Sequence, residues 1–294
     1  TLYCFMLKGS IVALITPFKN NALNESVYRK LIHYHLKNGT NGVVPGGTTG
    51  ESPTLSHEEH KKIIDIAVKE CAGKIPVIAG TGSNSTAEAV ELSKYAEKAG
   101  SDALLVVTPY YNKPTQEGLY EHYKKINDNV GIPIIIYNIP SRSVIDMSVD
   151  TMSKLYELKN IIGVKDATGD LKRVDQQLKS MGKEFIQLTG NDDNALEFNK
   201  RGGTGAISVT ANIAAKLCSD FQNYCTNNFD KAEKLDRILQ PLHSAMFIES
   251  NPSPVKYAAS LLGLCDPDVR LPLVQVKEKT KKEISNALKV VKLL

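Results

Sequence analysis

The sequence has no apolar run long enough to cross a bilayer. Its longest stretches, such as 130–136, fall far short of the roughly 20 residues a spanning helix needs and are broken by glycine or proline. Cysteine is scarce: the five present (Cys4, Cys71, Cys218, Cys225, Cys265) are an odd number with no CxxC spacing, which excludes a complete disulfide framework and fits a reduced, cytoplasmic compartment. A charge excess of one sign is missing too. Against 32 Asp+Glu stand 36 Lys+Arg, mixed along the chain, and the surplus around 277–282 reads as a solvated helix face, so no nucleic-acid footprint is expected. Phosphate-cradling turns of the GxGxxG or P-loop type are absent, as is the GxSxG elbow of serine hydrolases. No metal site is expected: His57-Glu58-Glu59-His60 puts its histidines three apart where the zinc-protease helix needs four, and His33, His35, His122 and His243 are scattered. At the front edge, the apolar residues after Thr1 lack the charged start and cleavage site of a signal peptide, and Met6 is the expected native start, with residues 1–5 a remnant.

What is present is a regular alternation. With 42% hydrophobic and 23% charged residues the chain can build a sizeable core. Eight short, β-branched-rich runs occur at 11–15, 42–44, 76–79, 103–107, 132–137, 161–164, 185–188 and 205–209. They are continuously apolar instead of alternating, the pattern of strands buried on both faces. Segments of helical period lie between them, two opened by the capping-box form, Ser56 with Glu59 and Ser85 with Glu88. Eight strand–helix units predict an α/β fold of the (β/α)8 TIM-barrel kind over 9–220, with a C-terminal helical extension over 221–294. The extension reads as helices at 230–246, from Ser253 (N-cap) and Pro254 (N1), and at 277–294. An open doubly wound sheet is the rival, but it would normally need the phosphate turn the chain lacks.

Chemistry in a barrel sits at the C-terminal ends of its strands, and here those ends are polar. The second run leads into Gly46-Gly47-Thr48-Thr49-Gly50-Glu51, whose glycines free backbone N–H groups to face an anion beside two hydroxyls. The fourth leads into Thr108-Pro109-Tyr110-Tyr111, the fifth into Tyr137-Asn138-Ile139-Pro140-Ser141-Arg142, the sixth into Lys165-Asp166-Ala167-Thr168-Gly169, and the seventh into Thr189-Gly190. A lysine directly continuing a buried strand enters the barrel mouth, where desolvation favours a free, nucleophilic amine. The other reading is a structural lysine paired with Asp166 or another carboxylate. Tyr137 reads either as an ordinary strand tyrosine or as the phenol that a Schiff-base enzyme needs to shuttle protons near the amine. Thr48 reads as a turn residue or a site hydroxyl. Arg142, just past a strand end, suits a bidentate carboxylate contact.

Gly47-Thr48-Thr49-Gly50-Glu51, Thr108-Pro109-Tyr110-Tyr111-Asn112, Tyr137-Asn138-Ile139-Pro140-Ser141-Arg142 and Gly163-Val164-Lys165-Asp166-Ala167-Thr168-Gly169 resemble the motifs of the dihydrodipicolinate synthase family, in the pyruvate-dependent class I aldolase superfamily that includes N-acetylneuraminate lyase. The resemblance runs from Gly9 to the C-terminus and takes in Val77-Ile78-Ala79-Gly80-Thr81-Gly82 and Asn251-Pro252-Ser253-Pro254-Val255-Lys256. It implies condensation of pyruvate with L-aspartate 4-semialdehyde through a Lys165 Schiff base, in the diaminopimelate route of lysine biosynthesis. Tyr137, Thr48 and Tyr111 would form the proton relay, Tyr111 reaching into a neighbouring subunit of a homotetramer built from two dimers. Thr48 and Thr49 would hold the pyruvate carboxylate, Arg142 that of the semialdehyde, and Gly190 and Ile207 would shape the pocket. No cofactor is implied, because the lysine is itself the electron sink. The resemblance also implies a pocket for L-lysine as feedback inhibitor, at Ser52, Pro53, His57, His60, Asn84, Glu88 and Tyr110. Pro53 departs from the small residue expected there. Two other functions come into view: cleavage of N-acetylneuraminate or a 2-keto-3-deoxy sugar acid by the same Schiff base, and a non-catalytic barrel that only binds. Thr48, the Tyr110-Tyr111 pair and Arg142 favour the synthase over the lyases, and the joint presence of Lys165, Tyr137 and Thr48 speaks against a barrel that has lost its chemistry.

Overall fold

The computed structural model describes residues 7–294, so the expected start at Met6, and Cys4, lie outside the described residues. Eight parallel strands alternate with helices: β1 Gly9–Ala13, β2 Gly42–Val44, β3 Ile78–Gly80, β4 Ala103–Val107, β5 Ile134–Asn138, β6 Ile161–Asp166, β7 Ile186–Thr189 and β8 Gly205–Ser208. They run in the order β2-β1-β8-β7-β6-β5-β4-β3, and a parallel bridge between Val43 and Val77 joins the two ends into a closed barrel. Closure leaves the eight-stranded sheet without an edge and gives each of its strands two buried faces, which is why the runs are apolar. One face fills the lumen with Ile11, Ala13, Val44, Ile78, Leu105, Ile135, Leu188 and Ile207. The other packs Val12, Val43, Ala79, Leu104, Val106, Ile134, Ile136 and Val164 under the helices.

The outer ring is α1 Glu25–Lys37, α2 His57–Cys71, α3 Thr86–Ala99, α4 Gln116–Asn127, α5 Val149–Tyr156, α6 Lys172–Met181, α7 Ala195–Lys200 and α8 Ala215–Asn227. The extension adds α9 Phe229–Ala245, α10 Ser253–Leu261 and α11 Glu278–Val290. The expected division at 220/221 falls inside α8, a helix of the ring. Ser56 caps α2 as a full capping box, its hydroxyl accepting from the Glu59 N–H while Glu59 accepts from the Ser56 N–H. The second box is only half made: Ser85 accepts from the Glu88 N–H, but the Glu88 carboxylate turns away to Ser83 and His57. In α10 the cap is Pro252, so the helix begins at Ser253, one residue earlier than expected, and Pro254 is its second residue. The described cysteines (Cys71, Cys218, Cys225, Cys265) are free thiols. Among the described residues no helix is long and apolar enough to cross a membrane.

Candidate active site

Strand β6 carries the feature that aims the site. Ile134 on β5 pairs with Ile161, but the next residue, Ile135, pairs with Gly163, so β6 holds one extra residue at this point. Such a bulge resets the two-residue alternation. Ile161 packs under the helices, Ile162 packs against the luminal cluster, and beyond the bulge Val164 faces the helices again. Lys165 then stands in register with luminal Tyr137. Had the same residues continued the plain alternation from Ile161 with no bulge, Lys165 would point outward and Asp166 into the lumen.

Lys165 and Tyr137 are each 6% exposed, and the lysine Nζ lies 4.0 Å from the centroid of the tyrosine ring. Among the described residues no carboxylate pairs with Lys165. Asp166 points to the other face and accepts from the Thr168 N–H at 2.9 Å and its hydroxyl at 2.7 Å; burial pushes its carboxyl above the ordinary range, against these two bonds. Gly190, the first residue after β7, is pinned by its N–H on the Asp166 carbonyl at 2.8 Å. A Cβ there would lie 3.1 Å from the Lys165 Cε and 2.9 Å from the Ala167 Cβ, so only glycine leaves the lysine its position. Ile207 lines the lumen at the end of β8. The result is an amine on an apolar floor, beside a phenol and away from carboxylates, which suits attack on a carbonyl carbon.

The turn after β2 is wound tightly: the Gly50 and Ser52 N–H groups donate to the Gly47 carbonyl at 3.1 and 3.3 Å, and that of Glu51 to the Thr48 carbonyl at 3.0 Å. It packs directly on β3, where a Cβ on Gly80 would sit 2.4 Å from the Gly46 carbonyl. Thr48 is half-buried and Thr49 buried. Asn251 donates its side-chain amide to the Thr49 hydroxyl at 3.0 Å, while its carbonyl accepts from Arg142 at 3.4 Å. The C-terminal extension thus touches both groups expected to bind carboxylates. Sequence reasoning left Asn251 without a role, and equally Lys256, which is fully buried and pairs with Glu51. A single charged residue in the otherwise uncharged α10 was the available signal. The loop bearing Arg142 is tied down by Asp146, which accepts from Asn138 at 2.8 Å and from Arg173 at 3.1 Å; no motif pointed to that network.

Tyr111 stands apart, 88% exposed and in the left-handed region at φ 76°, a conformation uncommon for any residue but glycine. Neighbouring Tyr110 accepts, through its carbonyl, from the Asn84 side chain at 3.0 Å. His57 and Glu88 are joined at 2.6 Å, and hydrogen bonds from Ser83 first and His57 second hold the Glu88 carboxyl below its ordinary range. His60, another residue expected at the lysine pocket, is buried and donates from Nε2 to the Gly80 carbonyl at 2.6 Å; burial lowers its pKa. Ser52 and Pro53 belong to the 3-10 turn between the Gly46–Glu51 turn and α2. Glu59, read as a capping residue, also accepts from both terminal guanidinium nitrogens of Arg270. Among the described residues no cluster of His, Cys, Asp and Glu could hold a metal ion.

A closed (β/α)8 barrel with a buried lysine at one strand end, facing a tyrosine on the neighbouring strand, is the arrangement expected of a lysine-dependent lyase. The chain belongs to the dihydrodipicolinate synthetase family, whose sequence model matches residues 6–291. A protein of Pelagibacter ubique described as 4-hydroxy-tetrahydrodipicolinate synthase is 72% identical over 96% of this chain and 98% of its own. The crystal structure of a dihydrodipicolinate synthase from Acinetobacter baumannii, complexed with pyruvate, superimposes with a TM-score of 0.96 at 44% identity, over 98% of this chain and 100% of that one. One from Cyanidioschyzon merolae with lysine bound does so with a TM-score of 0.95 at 33% identity, over 98% and 99%.

Proposed function

We propose that Lys165 carries out the 4-hydroxy-tetrahydrodipicolinate synthase reaction, condensing pyruvate with L-aspartate 4-semialdehyde. The observation that carries this reading is the buried amine 4.0 Å from the Tyr137 ring, with glycine behind its Cε. The neutral amine adds to the ketone of pyruvate and water leaves, giving a protonated Schiff base. Loss of a methyl proton turns it into an enamine, whose carbon attacks the aldehyde of the second substrate. The amine of that substrate then adds to the Schiff-base carbon and displaces Lys165 as the ring closes. Tyr137, Thr48 and Tyr111 move the protons. Thr48, Thr49 and the backbone near them hold the pyruvate carboxylate, Arg142 holds that of the semialdehyde, and Gly190 and Ile207 bound the pocket. The high exposure of Tyr111 supports its acting across an interface, in a homotetramer.

L-lysine acts as feedback inhibitor at a pocket of Ser52, Pro53, His57, His60, Asn84, Glu88 and Tyr110. Glu88 is an acceptor for an ammonium, and the Asn84 amide a donor for a carboxylate. The decisive experiment is incubation with pyruvate and borohydride followed by peptide mass mapping. A reduced adduct on Lys165 is expected in the wild type and none in Lys165→Met; an unlabelled Lys165 in active enzyme overturns the assignment.

A further inference from the structure

Glu51, the last residue of the turn after β2, and Lys256, on α10, are 205 residues apart and joined at 2.7 Å, with side chains 1% and 0% exposed. Both charged ends have further protein partners. The lysine also donates to the Thr16 carbonyl at 2.7 Å and lies 4.3 Å from the Phe18 ring centroid. The second carboxylate oxygen of Glu51 accepts from the Arg270 N–H at 3.0 Å, and the Thr16 hydroxyl donates to the Gly50 carbonyl at 2.7 Å. Burying two charges costs so much hydration that an apolar pair of equal volume would hold the fold as well or better. What an ion pair adds is register: one geometry, with each donor and acceptor assigned. Here the register is that of a strained residue, since Glu51 sits in the left-handed region at φ 58°. The same turn is gripped a second time from the extension, by the Asn251 amide on the Thr49 hydroxyl.

We propose that Glu51 and Lys256 are positioning residues for pyruvate. Through them the C-terminal extension holds the Gly46–Glu51 turn in the shape that receives the substrate carboxylate. The proposal rests on the reading of that turn as the carboxylate cradle. It makes the extension part of the binding site and not only a cover for the barrel.

The test compares wild type with Glu51→Gln, Lys256→Met and the double variant, by borohydride trapping of pyruvate on Lys165 over a range of pyruvate concentrations, by steady-state KM for each substrate and by thermal melting. Each single variant leaves a partner without its counter-charge and is expected to melt lower. The double variant keeps the volume and leaves no lone charge, so its melting should return close to wild type. Its half-saturating pyruvate should nevertheless stay raised by about tenfold, the effect of a sub-ångström displacement of a substrate-holding group. The KM for the semialdehyde and the turnover at saturating pyruvate should change little. A double variant with wild-type half-saturation overturns the proposal and leaves the pair structural. If the double variant does not fold, Glu51→Asp decides: it keeps both charges and draws the carboxylate back by one methylene, and unchanged half-saturating pyruvate in it is equally fatal. Failure of wild type to trap pyruvate would instead refute the functional reading, so the two failures are distinct.

Discussion

Replacing Gly190 with alanine puts one methyl group into the most crowded part of the site. Its carbon would lie 2.9 Å from the Ala167 Cβ and 3.1 Å from the Lys165 Cε, where ordinary carbon contacts are about 3.5–4.0 Å. Two neighbours are fixed: Gly190 by its bond to the Asp166 carbonyl and Ala167 by its own to the Asn138 carbonyl, at 2.8 and 2.9 Å. The yielding partner is the lysine side chain. An off-rotamer lysine costs about 0.5–1.5 kcal/mol, and overpacking as a whole about 1–3 kcal/mol, so the protein should fold and Tm should fall by only a few degrees. Catalysis is far more sensitive, because displacing a nucleophile by about 1 Å can cost about a hundredfold in rate. Gly190→Ala is therefore expected to lose about two orders of magnitude in kcat/KM for pyruvate and to trap pyruvate correspondingly slowly, while its circular dichroism stays native. Steady-state kinetics beside a melting curve separate the two effects. A variant with wild-type kinetics would refute the reasoning, since it would mean that the lysine does not need the space the glycine leaves.

Tyr137→Phe keeps the ring beside the amine and removes only the hydroxyl. Trapping on Lys165 should survive while kcat falls about a hundredfold or more, and unchanged kcat would remove the phenol from the proton relay. His57→Ala and Glu88→Ala should shift the L-lysine inhibition curve to higher concentration, and identical curves for wild type and variants would show that the inhibitor does not sit there. Stability should fall on mild acidification. His35, fully buried, has its pKa lowered to about 3 by burial, and His122 likewise to about 4, so in the acid range the unfolded chain takes up protons that the folded one refuses. The folded state is therefore at full strength above the unfolded value near 6.5 and loses stability as pH drops below it, by about 2 kcal/mol per histidine at pH 5. Melting temperatures from pH 7 to 5 test this. His35→Gln should flatten the profile, and a flat wild-type profile would refute it.

Features that depend on neighbours in the chain were legible in the sequence. The eight strands come from continuous apolar runs because a closed barrel buries both faces of every strand. Ser56 and Glu59 declare the start of α2 because a capping box is complete within four residues. Ser85 and Glu88 look the same on paper, yet Glu88 binds Ser83 and His57 instead: His57 is brought over from α2, and the nearer partner formed a competing bond that spacing does not rank. Lys165 and Tyr137 stand out because polar residues ending buried strands need a reason.

By itself, then, the sequence determined the barrel, the polar strand ends and the residues able to do Schiff-base chemistry, all consequences of local periodicity and side-chain type. Only the tertiary structure decided where those residues point. The extra residue in β6 turns Lys165 into the lumen, and a bulge is a mismatch between two strands that neither strand records alone. The pairing of Glu51 with Lys256 was decided the same way, across 205 residues, because two charges can forgo water only where the packed fold brings them face to face.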